Sequence, residues 1–295
     1  PNGQGIAALI GLNILEDFNK TGDGLRGNHE HLSTSYMHRL IETMRLAFAD
    51  ARAYVADPDV VPVPSKGMLD PEYAAERRKL IDPSKASPDV ERGSPAYGSD
   101  TVSFQVVDRH GNAVSMVNSN YEGFGSGIIP KGCGFTLQNR GANFSLNPEH
   151  PNVIAPCKRP YHTIIPALIL HRDTQELYGT FTNMGGFMQP QGHVQLVVNM
   201  LDYDLNPQAA IDAPRFCIAD GTANGAVAIE EGVDPEVIQA LQDMGHHVLV
   251  KDGRKLVTGI DRSLFGRAQI ILRDRKTGVL CAGSDGRADG HAMGF

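Results

Sequence analysis

The chain has 295 residues, 41% hydrophobic and 21% charged, an ordinary globular composition with enough length for one large core or two smaller ones. A net charge of −7 and the absence of a dense Lys/Arg run exclude a surface built to neutralise a row of phosphates, so nucleic acid is not an expected partner. The longest apolar runs, residues 6–12 and 164–170, fall well short of the roughly 20 residues that a membrane-spanning helix needs.

The chain opens at Pro1 without an initiator Met, as expected of a piece of a longer or processed protein, and a helical pattern over 5–18 follows at once. A second helix is predicted within 33–57, where Met37, Leu40, Ile41, Met44, Ala47, Phe48, Ala51 and Val55 recur at helical spacing behind Ser/Thr caps. Asp70-Pro71 opens a third, with Pro at its first position. Residues 82–100, rich in Pro, Ser and Gly, have the composition of a surface linker.

From Thr101 the period changes to two. "VSFQVVD" and "AVSMVNS" flank Arg109-His110-Gly111-Asn112 and predict a hairpin. Further strands are expected at 134–138, 164–171, 177–183, 225–229, 246–250, 267–273 and 278–282, with helices near 189–204 and 234–245. Helices first, then a strand-rich half into which helices return, is an α+β pattern. A four-layer αββα sandwich fits it.

The four cysteines, Cys133, Cys157, Cys217 and Cys281, include no C-x-x-C pair, which excludes zinc ribbons and thioredoxin-like redox sites. They read as buried free thiols and so point to a reducing, cytoplasmic compartment. His29, His31, His246 and His247 have no metal-ligand spacing, and "GFGSG" at 123–127 lacks the Lys-Ser/Thr of a phosphate loop. No metal, cofactor or nucleotide is expected.

Thr101 stands at the join between a loose polar segment and a strand. Thr suits strands, and on this stretch alone shape is the better explanation. The other is chemical. A Thr hydroxyl needs a base to become a nucleophile, and a cut before Thr101 would supply one, the new α-amino group. That group titrates at about 7.7–8.0, well below Lys, so part of it is unprotonated near neutrality.

The wider sequence resembles the γ-glutamyltransferase family of N-terminal-nucleophile hydrolases. "DTVSFQVVDRHGNAVSMVNS" resembles the family's processing site and first hairpin, and "GFGSGI" the glycine-rich turn after it. "LQNRGANFS", "KRPYHTIIP", "NMGGFMQPQGHVQ", "APRF" and "GSDGRADGHAMGF" match later blocks in order. The resemblance implies the αββα fold, incomplete here at its N-terminus, and self-cleavage between Asp100 and Thr101. Residues 1–100 would then end a large subunit and 101–295 would form the small one. Thr101 would attack a small-molecule amide substrate, glutathione-like or a short acid-amide, and pass the acyl group to water or an amine.

The resemblance also implies roles for Ser119, beside the nucleophile, and for Gly185 and Gly186, whose N–H groups would form an oxyanion hole. Arg140, Asn143, Tyr121, His162 and Thr163 fall at substrate-binding positions. There the sequence departs from glutathione-cleaving members. Asn143 replaces an acidic residue, Tyr121 a small polar one, and His162-Thr163 a Ser-Ser pair. These departures weigh against γ-glutamyl specificity and toward an oxamate-type amidohydrolase. An unprocessed, non-catalytic homologue is the remaining alternative, and the intact Thr101, Ser119 and Gly185-Gly186 weigh against it.

Overall fold

Three helices start with the same device, an Asp or Asn followed by Pro. Asp70, Asn206 and Asp234 each accept a hydrogen bond from a first-turn backbone N–H, and Pro71, Pro207 and Pro235 occupy positions where no N–H is needed. They open α4 (Pro71–Arg78), α6 (Pro207–Asp212) and α7 (Pro235–Asp243). The other helices are α1 (Gly5–Lys20), α2 (Thr34–Tyr54), the short α3 (Ser65–Met68) and α5 (Met188–Leu201). The structure, a computed structural model, describes residues 1–87, 99–250 and 255–295. The linker expected at 82–100 lies mostly outside them, as does the Asp100 side chain.

Helix α2 begins where Ser33 accepts from the Tyr36 N–H, and nearly every residue after that is buried, polar ones included. It packs with Ile6, Ile10, Ile14 and Phe18 of α1 and with Val194, Phe216, Val227 and Ile238 from beyond Thr101. One apolar core therefore joins residues from both sides of the predicted cleavage site.

Strands β1 (Ser99–Val107) and β2 (Ala113–Glu122) form the predicted hairpin, its turn held by Asp108 Oδ1, which accepts from His110 N and Asn112 N. Strands β3 (Ala167–Leu170), β4 (Leu177–Asn183), β8 (Ala268–Arg273) and β9 (Leu280–Ser284) make an antiparallel sheet in the order β3-β4-β8-β9. A third sheet holds β5 (Phe216–Ile218), β6 (Val227–Glu230) and β7 (Leu256–Val257).

Two strand expectations are corrected. Residues 134–138 form no strand, because Leu137 turns its N–H to Ile128 O and its carbonyl to Ser126 N, closing a loop instead of a ladder. Among the described residues, 246–250 make only an isolated bridge, Val248 to Val227, since their backbone bonds to a strand run to Val227 alone and His246 N turns back to Leu241 O. Strands β5 and β7 are too short to show alternation in the sequence.

The hairpin lies on one face of the four-stranded sheet, and α5 and α6 cover the other. The inner face of the hairpin is polar: Thr182 donates to Ser103 Oγ at 2.6 Å, and Thr180 to Gln105 Oε1 at 2.6 Å. Its outer face is apolar, with Val102, Phe104, Val106, Val114 and Met116 between 47% and 65% exposed. The described residues thus supply helix, sheet and hairpin layers. The fourth layer of the expected sandwich is not found among them. All four cysteines are free, but only Cys217 is buried; Cys133, Cys157 and Cys281 are exposed, which corrects the expectation of buried thiols.

A buried histidine pair sets an acid limit on stability. His38 Nε2 donates to Asp82 O at 2.7 Å, so its Nδ1 accepts from His246 Nε2, also at 2.7 Å. Burial, then His38 and Arg45, push His246 down to about 3. The unfolded chain, with an ordinary value near 6.5, therefore binds the extra proton first. This contribution is fully present above about pH 6.5 and is lost as pH falls toward 3. Thermal melts should show Tm declining over that window, and His246→Gln should flatten the slope. An unchanged slope in that variant would exclude His246 as the source.

Candidate active site

Thr101 is 3% exposed and sits opposite Ser119 in the β1–β2 register. The register shifts by a bulge between Ser99 and Thr101, so the ladder is broken at the predicted scissile bond, a place where bulges re-aim the chain. Thr101 Oγ1 donates to Ser119 Oγ at 2.9 Å, and Ser119 Oγ also accepts from Tyr121 N at 2.9 Å.

Side-chain pairs join the hairpin to β4 as far as Ser103 and Thr182. Gln105 meets Thr180 and Ser103 meets Thr182, a step of two residues on each chain. Thr101 lies two residues before Ser103 on β1, and the chain leaves β4 into Gly185-Gly186 just after Thr182 and Asn183. Gly185 has φ 124° and Gly186 φ 58°, a backbone that L side chains rarely adopt. A Cβ on Gly185 would also meet Met188 Cβ at 3.0 Å. Among the described residues, neither glycine's N–H donates a hydrogen bond. Two adjacent unpaired N–H groups suit an anion or oxyanion.

Arg140 and Asn143 lie on the single helical turn Arg140–Asn143, which the chain reaches after the glycine-rich loop. Arg140 is 3% exposed. It donates to Thr163 Oγ1 at 2.6 Å and to Ser119 O at 3.5 Å, and its guanidinium lies 5.3 Å from the centre of the Tyr121 ring. Burial pushes its pKa down, with Tyr121 opposing. No carboxylate pairs with it among the described residues. Buried Arg is normally paired, so this one is poised for an anion.

His162 is half-buried on the chain beside Thr163. Burial, then Arg140, push it down to about 4, so it is neutral at pH 7. Its Nδ1 accepts from Ile164 N, which leaves Nε2 as a donor. Asn143 stands beside the Tyr121 phenol, where its side chain favours the ionised phenol, and among the described residues its buried Nδ2 makes no hydrogen bond of good geometry. Tyr121 itself is 6% exposed with φ 77°, an uncommon backbone for an aromatic residue. Hydrogen bonds and ring contacts thus link Thr101, Ser119, Tyr121, Arg140 and Thr163, Asn143 and His162 stand beside them, and Tyr121 lines one cavity with Gly185 and Gly186.

Several bracing residues are legible only in the structure. Gln4 Nε2 donates both to Thr163 O at 2.6 Å and to Gly186 O at 2.8 Å, tying the Arg140 corner to the Gly-Gly turn. Arg215 of "APRF" is fully buried, bonds Asn183 Oδ1 at 2.9 Å and pairs with Asp285 of "GSDGR" at 3.0 Å. Asn183 ends β4 just before the turn. Those two blocks therefore fix the strand from which the turn departs. The signal in the sequence was the motifs themselves. Gln4 had no signal.

A family model described as gamma-glutamyltranspeptidase matches residues 1–295. The chain belongs to this family. It is 36% identical over 302 residues to the glutathione hydrolase-like YwrD proenzyme of Bacillus subtilis, covering 100% of this chain and 53% of that protein. It is 33% identical over 261 residues to the oxamate amidohydrolase proenzyme of Klebsiella pneumoniae, covering 88% of this chain and 47% of that protein. A crystal structure of cephalosporin acylase from Bacillus halodurans superposes with a TM-score of 0.83 at 42% identity, over 100% of this chain and 50% of that one. The chain spans about half the length of the curated relatives it matches. These family members carry names of hydrolases and acylases, several of them proenzymes.

Proposed function

We propose that this chain is part of a self-processing N-terminal-threonine amidohydrolase that cuts short acid-amides. Cleavage of Asp100–Thr101 frees the Thr101 amino group, which takes the proton from its own hydroxyl. Residues 1–100 then end the large subunit and 101–295 form the small one, held together by the core that α1 and α2 share with the strand-rich half. Thr101 Oγ attacks the amide carbon, Ser119 orients it, and the Gly185 and Gly186 N–H groups receive the oxyanion. Water releases the acyl group.

The observation that carries the substrate reading is the corner around Arg140. Its groups are donors: the Arg140 guanidinium, Asn143 Nδ2 and the His162 N–H. Such a corner suits a carboxylate, held by parallel N–H bonds, and offers no acidic side chain to a glutamyl ammonium group. The oxamate amidohydrolase among the relatives is consistent with this preference.

Steady-state kinetics on the full-length processed enzyme test it. kcat/KM should be higher for a short acid-amide such as oxamate than for glutathione. Arg140→Ala should lower the acid-amide value on the order of ten- to a hundredfold, the worth of hydrogen bonds to a charged group. Efficient γ-glutamyl transfer with Arg140→Ala unaffected would return the protein to the glutathione-cleaving reading.

A further inference from the structure

A cavity of about 510 Å³ opens beside the Gly185-Gly186 turn. Its wall is largely apolar, formed by Phe187, Met188, Leu249, Val257 and Leu264. Tyr121 lines it as well, and the same ring carries the Arg140 guanidinium 5.3 Å from its centre. Tyr121 therefore borders two unlike environments, the buried cationic corner and the apolar cavity. Short acid-amides such as oxamate fill only the first.

We propose that the cavity binds the amine half of the substrate, and that the preferred substrates are amides of a short acid with an apolar alkyl or aryl amine. This rests on the reading of Thr101 and Arg140 given above. An amide held at Thr101 points its carbonyl oxygen at the Gly-Gly turn and sends its acyl and amine halves in opposite directions. With the acyl carboxylate on Arg140, the nitrogen substituent is left with the space beyond Tyr121. Among the described residues the wall carries Glu122, Asp261 and Arg267, and its largely apolar surface disfavours an amine that carries its own carboxylate. The chemistry balances as ordinary acyl transfer. The Thr101 Oγ–carbon bond forms and the carbon–nitrogen bond breaks. The hydroxyl proton passes through the α-amino group to the leaving nitrogen, and the neutral amine departs through the cavity.

The test uses the full-length processed enzyme and three amides of one short acid: unsubstituted, N-hexyl and N-(ω-carboxyalkyl). Each buried methylene is worth about fourfold, so with about three to four of its methylenes buried the hexyl amide should exceed the unsubstituted one in kcat/KM on the order of a hundredfold. Leu249→Asp, which puts a charge in the cavity, and Leu264→Trp, which fills it, should each collapse that ratio toward one. Both side chains are only partly buried, and two unlike changes guard against a folding defect in either. Equal values for the hexyl and unsubstituted amides, or a preference for the carboxyalkyl amide, would overturn the cavity assignment and leave the amidohydrolase reading standing. Cleavage of none of the three would overturn both.

Discussion

Thr101→Ala is expected to leave the full-length precursor as one uncut band with no amide hydrolysis. The variant removes a single hydroxyl that the account uses twice, first to cut the chain before residue 101 and then to attack substrate. The fold should survive, because Thr101 faces the polar interior of the hairpin and its partner Ser119 keeps the Tyr121 N–H bond. Thr101→Ser keeps a hydroxyl and should still cleave. The pair separates chemistry from shape, since Ala and Ser are both smaller than Thr and only one retains the nucleophile. Cleavage of the Ala variant at the same bond would remove Thr101 from the mechanism.

The second large effect is expected at Gly186. Gly186→Pro deletes one N–H from the Gly-Gly turn, and loss of one oxyanion donor typically costs about 3 kcal/mol, or a hundredfold or more in kcat. Proline also cannot adopt the φ of 58° found there. Gly186→Ala retains the N–H and bears the left-handed backbone penalty, about 1–2 kcal/mol. Its loss in kcat should be much smaller than that of Gly186→Pro, with both variants checked for folding by thermal melt. Hydrolysis by the Pro variant within a few-fold of wild type would exclude the turn as the oxyanion site.

The hairpin, the main helices and the core of the sheet were legible because each rests on local rules. Alternation with an Asp-centred turn marks β1 and β2, and caps with Pro mark α4 and α7. Strands β5 and β7 were not legible, because three and two residues show no period. The apolar outward face of the hairpin inverts the usual polarity of a surface strand. The polar Ser103, Gln105 and Ser115 are the ones that turn inward.

At the site, residue types were readable and their neighbours were not. Arg140 in a sequence reads first as a solvated charge. Only the fold shows that it is buried against Thr163 with no acid beside it. Gln4 lies 182 positions from Gly186, and nothing short of the structure joins them. The cavity beside the Gly-Gly turn draws on Tyr121, Phe187, Leu249 and Leu264, which share no sequence pattern at all.

The central claim is that Thr101 becomes the first residue of a catalytic subunit. N-terminal sequencing of the smaller band from purified full-length protein tests it most directly. The expected fragment begins Thr-Val-Ser-Phe-Gln. A fragment beginning at another residue, or an active protein that remains a single chain, would contradict it.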